Sequence, residues 1–230
     1  MVDPIDIVSR TMQQDLHRIE VVSNNVANVN SVGFKAQALP NIQSDMNGLT
    51  ELANNPISIN VSDGRLIQTG RSLDLAIQGQ GFFVVDNNGE KLLSRNGSLS
   101  VNREGYLVTS AGSYLVQGSN GAVYIGDEAF QVNETGQIIS GGQELDRLQV
   151  HQAFGDIRPV GNGAYQSQGS GQIAEGYSIV QGVLESSNVD VASEMMQLMS
   201  TQKHFGLIQR YFVAYDGLLK NGINQIGKVN

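Results

Sequence analysis

The chain has 230 residues and a formal net charge of −8, with 40% hydrophobic and 16% charged residues, 27 glycines, no cysteine and no tryptophan. The acidic balance excludes a nucleic-acid binder whose affinity comes from neutralising phosphates. The missing cysteine excludes a disulfide framework and any thiolate metal site.

The length allows one large domain or two small ones, and the composition suits a β scaffold better than a helical enzyme. Residues 1–59 hold two glycines, residues 60–185 hold twenty-one and residues 186–230 hold four. Glycine punctuates turns and weakens helix interiors, so this distribution predicts helical ends around a β middle. The first twenty residues lack the basic start and apolar run of a secretory signal. No stretch approaches the ~18–20 apolar residues that a membrane span needs, so no membrane insertion is expected. Taken alone, these features read as cytoplasmic.

The first element is a helix. Asp3 is placed to cap it, Pro4 occupies the first helical position and Asp6 sits near the positive end of the dipole. Apolar residues Ile5, Val8, Met12, Leu16, Ile19, Val22, Val26 and Val29 recur every three or four positions, a narrow stripe of the coiled-coil kind. The helix should end near Asn28 to Ser31, before the turn Ser31-Val32-Gly33. Residues 36–62, with Pro40 and Pro56, read as an extended linker.

Short strands follow at close spacing. Phe82–Val85, Lys91–Ser94, Leu99–Val101, Tyr106–Val108 and Tyr114–Val116 are separated by the turns Asn87-Asn88-Gly89, Asn96-Gly97, Arg103-Glu104-Gly105 and Ala111-Gly112. This is the pattern of an antiparallel meander. Gln149–Phe154 and Ser178–Leu184 supply later strands.

Asp190 then caps a second helix with Glu194 in its first turn. Its stripe is Val191, Met195, Leu198, Phe205, Ile208, Phe212, Tyr215, Leu219, Ile223 and Ile226, interrupted at Gln202. At 1.5 Å per residue, a helix over 191–226 is about 50 Å long. The expected fold class is α+β, with long N- and C-terminal helices of coiled-coil type flanking a mainly antiparallel β domain. Its segments are a helix within 1–35, the linker 36–62, the β domain 63–185 and a helix within 186–230, the two ends together forming one helical domain.

Nothing in the chain reads as a catalytic set. His17, His151 and His204 are scattered and read as solvated side chains rather than metal ligands. Gly79-Gln80-Gly81 and Gly161-Asn162-Gly163 do not continue as a phosphate-binding loop and read as β turns. No serine occupies a nucleophile elbow and no carboxylate pair stands out. The expectation is a non-enzymatic chain with no cofactor and no metal.

Two features admit contrasting explanations. Asn24, Asn25, Asn28 and Asn30 crowd into seven residues, at a cost of roughly half a kcal/mol each relative to alanine in a helix. They either cap a fraying helix end or bond a neighbour across a helix interface. The two apolar stripes either pair within one chain as a hairpin beneath a soluble β binding module, or are completed by other subunits. Helices of about 25 and 36 residues are mismatched and leave roughly ten residues of stripe uncovered, which favours assembly.

Four stretches carry a family resemblance. Ser23 to Lys35, an Asn-Asn-Val-Ala-Asn run ending in Gly33-Phe34-Lys35, resembles the N-terminal signature of the flagellar basal-body rod and hook proteins. Gly64–Gly70 with Leu73–Phe83 resembles that family's entry into its β domain. Ser94-Arg95-Asn96-Gly97 with Gly105–Thr109 is similar to its hairpin region. Gly182–Asp190, with Glu194-Met195 and Gln202-Lys203 beyond, resembles its C-terminal signature. Val26 departs from the leucine many members carry, and Phe205–Tyr211 matches the family pattern loosely.

The resemblance implies a non-enzymatic subunit of the axial flagellar structure. In that family the terminal segments are largely disordered in the free subunit and form an inner tube of helices on polymerisation, with the β domain outside. It also implies export through the flagellar export apparatus without a cleaved signal, a place in the periplasmic rod, and other rod subunits as partners. The short span from Lys35 to Leu66 and the compact residues 120–175 favour a proximal-rod member over a distal-rod one. On this basis the assembly seams are expected to be Val8, Met12, Leu16, Ile19, Val22 and Val26 with Leu198, Phe205, Ile208, Phe212 and Leu219. Asn24, Asn25, Asn28 and Phe34 are expected to orient the neighbour.

Overall fold

A computed structural model describes residues 4–39, 57–110, 114–126, 129–167 and 171–226. It divides into two compact units, one built from the chain ends up to Ala27 and from Asp190, the other from Asn28–Val189.

The first unit is a helical pair, α1 over Pro4–Ala27 and α2 over Val191–Ile226. Asp190 caps α2 as expected, its Oδ1 accepting the Ala192 N–H at 3.1 Å. The Asp3 cap of α1 lies outside the described residues. Side-chain bonds cross the pair from Asn25 to Glu194 at 2.9 Å and between His204 and Asp15 at 2.7 Å. Residue numbers fall along one helix as they rise along the other, so the helices run antiparallel. Extrapolating that alignment sets the start of α1 level with Tyr215, and roughly three turns of α2 extend past it.

The expectation of long coiled-coil helices is corrected here. The described residues hold two helices, of 24 and 36 residues, flanking a large, mostly antiparallel β unit, and their faces are not a continuous apolar seam. Asp15 and Asn25 are buried on the inner face of α1, while Leu16 is 54% exposed. Large apolar side chains of α2 lie off its stripe, with Met196, Met199, Leu207, Tyr211, Val213 and Leu218 all exposed. A strict coiled-coil seam confines its apolar residues to one narrow stripe, and α2 does not.

The second unit is β throughout. Its main sheet orders the strands Ile157–Gly161, Ala164–Ser167, Glu90–Ser94, Phe82–Asn87, Leu115–Gly118, Leu107–Thr109 and Leu99–Val101, each antiparallel to the next. Strand Phe82–Asn87 is central, and it also pairs with Val150–Gln152. Its apolar run is buried on both faces. Phe83 and Val85 join the large core around Leu75, Ile77, Leu107, Ile138 and Ile179, while Phe82 and Val84 join a smaller cluster with Leu93 and Tyr165. That two-sided burial is why the segment reads as a continuous apolar run rather than an alternating one.

The turn chemistry follows the sequence. Asn87 pairs with Glu90, leaving a two-residue loop in which Asn88 and Gly89 have φ of 54° and 95°. This is the left-handed pair that asparagine and glycine supply most readily. Asn162-Gly163 closes a second hairpin in the same way, so Gly161-Asn162-Gly163 is a turn and not a phosphate loop.

Phe130–Val132, Gln137–Ser140 and Gln143–Arg147 make a separate three-stranded meander. The ends of the β unit are then zipped together. Leu66–Gln68 pairs with Val183–Glu185, and Leu75–Gln78 pairs with Ser178–Gln181. The expected single strand Ser178–Leu184 is thus two strands, broken at Gly182. Gln37–Ala38 pairs with Ser58–Ile59, so both described edges of the expected linker are strand. Its middle, with Pro40 and Pro56, lies outside the described residues, as does the expected turn at Ala111-Gly112.

Candidate assembly interface

In the helical unit, the inner face of α1 is built from Val8, Met12, Ile19 and Val26, all part-buried, with Val21 and Val22 fully buried. On α2, Leu198, Phe205 and Ile208 are part-buried, and Thr201 between them is buried. These side chains are brought together within one chain. Leu16, Phe212 and Leu219 are exposed instead, the last two at 43% each. The expected seam therefore splits into a part satisfied inside the chain and a part that faces outward.

The asparagines divide similarly. Asn25 is buried and donates to Glu194 across the helical pair. In the β unit, Asn28 accepts from the Ser31 hydroxyl at 3.1 Å, and its carbonyl accepts the Ser31 N–H. Asn25 thus bonds within its own chain rather than to a neighbour, and Asn28 makes a turn. Asn24 is exposed, and Phe34 is buried within the β unit.

The feature that sequence reasoning missed is ionic. Lys35, Arg95 and Glu185 are all buried in the β unit. Glu185 takes Lys35 Nζ on one carboxylate oxygen at 2.7 Å and Arg95 on the other at 3.1 Å. The first oxygen also accepts the Gly64 N–H at 2.7 Å. The second negative charge is Asp63, half-exposed and 3.4 Å from Arg95. Arg95 further donates to the carbonyls of Ile77 and Gly79, and its guanidinium lies 5.4 Å from the centre of the Phe82 ring. Two buried cations are thus matched by two carboxylates, and backbone carbonyls take further donors of each, as burial of charge demands; Arg95 Nε is buried with no hydrogen-bond partner among the described residues.

The same cluster explains the Gly33-Phe34-Lys35 signature. The Gly33 N–H donates to the Glu185 carbonyl at 2.8 Å. Gly33 has φ of 65°, and a side-chain carbon there would lie 2.2 Å from the Arg95 carbonyl oxygen. Only glycine fits that approach. The Lys35 N–H donates to the Tyr165 hydroxyl at 2.9 Å. Burial lowers the Lys35 pKa below the ordinary lysine range, with the Glu185 bond and charge pulling the other way. Burial pushes the Tyr165 hydroxyl up to about 12, opposed by the bond from the Lys35 backbone. A signal for the cluster was present, since Lys35, Arg95 and Glu185 each stand in a different one of the four quoted stretches.

His204 is likewise more than a solvated side chain, for it bonds buried Asp15. Among the described residues no helix is long and apolar enough to cross a membrane.

Known proteins resemble this chain along its length. Three family models match in chain order: a flagella basal body rod protein model over residues 5–35, a flagellar hook protein FlgE/F/G D1 domain model over 76–140, and a flagellar basal body rod FlgEFG C-terminal model over 180–226. The flagellar basal-body rod protein FlgF of Caulobacter vibrioides is 28% identical, covering 97% of this chain and 98% of its own. The rod protein FlgG of Agrobacterium fabrum is also 28% identical, over 91% and 94%. The hook protein FlgE of Escherichia coli is 37% identical over 34% of this chain and 20% of its own. The chain belongs to the flagellar basal-body rod protein family, whose members are structural, non-enzymatic subunits of the flagellum.

The ionic cluster makes two predictions. Glu185→Gln leaves Lys35 and Arg95 buried with one half-exposed carboxylate between them, and should cost about 3–5 kcal/mol, measured by urea denaturation of the β unit. Tyr165 holds its proton more tightly folded than unfolded. Its contribution is therefore complete below pH 10 and is lost as pH rises from about 10 to about 12, roughly 3 kcal/mol in all. Denaturation at pH 9 and pH 11.5 should show this decline in the wild type and a shallower one in Tyr165→Phe.

Proposed function

We propose that the chain polymerises through its terminal helices into the axial rod of the flagellar basal body. The observation that carries this reading is the outward apolar surface of α2, where Met196, Met199, Leu207, Tyr211, Val213 and Leu218 are exposed, Leu218 at 71%. A lone chain gains nothing by exposing so many large apolar side chains on one helix, and neighbouring subunits would bury them. The inner residues Val8, Met12, Ile19, Val22, Val26, Leu198, Phe205 and Ile208 hold the two helices together. Leu16, Phe212 and Leu219 extend the surface offered to neighbours, and the Asn24 side orients them.

Contacts between successive subunits are heterologous and do not close, which extends a tube rather than a ring. The two chain ends form the axial helical domain. The subunit reaches the periplasmic rod through the flagellar export apparatus. It acts with other rod subunits and uses no catalytic residue, cofactor or metal. The short span between Lys35 and Leu66, and likeness to a FlgF protein over nearly the whole of both chains, support a proximal-rod position over a distal one. The in-chain pairing of α1 and α2 belongs equally to a soluble module with a helical hairpin, but such a module leaves the outer face of α2 without a role.

Two substitutions separate inner from outer face. Ile19→Asp places a carboxylate in the pair, where burial without a partner is costly. It should abolish swimming in soft agar while the urea transition of the β unit stays unchanged. Leu218→Asp lies on an exposed site and should change stability by no more than about 0.5 kcal/mol, yet also abolish swimming. Wild-type motility with Leu218→Asp would remove the basis of the reading.

A further inference from the structure

The inner faces of α1 and α2 are close to periodic. Val8, Met12, Asp15, Ile19, Val22 and Val26 fall at heptad spacing, and so do Leu198, Thr201, Phe205 and Ile208, with Phe212 and Tyr215 continuing that spacing into the part of α2 where Phe212 is exposed. Sliding one helix past the other by seven residues, about 10.5 Å, therefore sets one apolar residue in place of another at most positions of the two faces, Asp15 and Thr201 excepted. Apolar packing alone discriminates weakly between these alignments.

The polar pairs do not share that degeneracy. Asp15 bonds His204 and Asn25 bonds Glu194, and both bonds form together in one alignment only. After a seven-residue slide that buries more of α2, Asp15 would face Tyr211, and Glu194 would lie beyond the end of α1. The Asp15 side chain is 5% exposed, so it would lose its imidazole partner with little access to water. Glu194 Oε2 is buried with no hydrogen-bond partner among the described residues, which leaves the Asn25 bond to its other oxygen as the side-chain bond that satisfies the carboxylate. Isolated polar residues in a helix interface are known to fix alignment in this way.

We propose that Asp15–His204 and Asn25–Glu194 form a register lock, positioning residues that set which turns of α2 are covered by α1 and which stay open to other subunits. The lock concerns the single chain, and its consequence for assembly rests on the function proposed above. His204 donates through Nδ1 as a neutral ring or as a cation, so the bond does not require one protonation state.

The absence of cysteine allows the register to be read directly with introduced pairs. Val22 lies three residues before Asn25 and Leu198 four after Glu194, which puts them level, so Val22→Cys with Leu198→Cys reports the native alignment. Val22→Cys with Phe205→Cys reports the slide. A disulfide needs Cα atoms within about 7 Å, less than the slide itself. In the otherwise unchanged chain, the native pair should crosslink at least ~10-fold more than the slid pair. Replacing Asp15, His204, Asn25 and Glu194 by leucine keeps the pair apolar and helical and should bring the two yields within about threefold. Adding back the swapped pair, Asp15→His with His204→Asp, should restore the native preference.

Persistent native preference in the all-leucine variant would overturn the lock, and so would failure of the swapped pair to restore it. The measurement uses the full chain before assembly, so its failure is read separately from a failure of Leu218→Asp to affect swimming.

Discussion

Glu185 sits between two buried cations, and the β unit is arranged around keeping it there. Lys35 comes from the segment after α1, Arg95 from the end of a central hairpin strand, and Glu185 from the last strand of the unit. A buried carboxylate is tolerated only with its partners in place. The three segments must therefore converge, and each then fixes its surroundings. Arg95 binds the carbonyls of Ile77 and Gly79. Lys35 binds the Ser62 carbonyl through its side chain and the Tyr165 hydroxyl through its backbone. Gly33 threads the gap that remains. Replacing this centre with apolar residues of equal volume need not weaken the fold, but it would remove the geometry that aligns these segments.

The helical unit uses the same physics on a smaller scale. An apolar stripe gives α1 and α2 a reason to pair, but little reason to pair at one particular offset. Asp15, Asn25, Glu194 and His204 supply directional contacts where directionless packing is ambiguous. The residues that interrupt the apolar pattern carry its specificity.

Legibility in the sequence was uneven for physical reasons. Both helices were readable from spacing and caps, because Asp190 and the three-and-four periodicity are local signals. So were the hairpin at Asn88-Gly89 and the central strand Phe82–Val85. Leu66–Gln68 and Gln143–Arg147 left no mark, since they are exposed strands of mixed polarity whose pairing depends on distant partners. Coiled-coil character was overread because Leu16 and Asp15 are both at helical spacing from Met12, and tertiary contact puts the aspartate inside. The ionic cluster was invisible to local pattern altogether. Its members are separated by 150 residues between Lys35 and Glu185 and by 90 between Arg95 and Glu185, and only the motif stretches containing them hinted that they mattered.

The ribbon that closes the β unit has a kinetic side. Gly64 and Glu185 meet across 121 residues, and the ladders beside them join the first strands of the unit to the last. Contacts of such sequence separation must bear loop-closure entropy before they return any stability, which slows folding. A growing chain cannot complete this unit until residues 178–185 are available, because the strands that pair with Leu66–Gln68 and Leu75–Gln78 lie there. The central hairpins can form early, but final closure waits for nearly the whole polypeptide. Such a topology keeps the ends of the β unit open until late, and ties completion of the fold to completion of the chain.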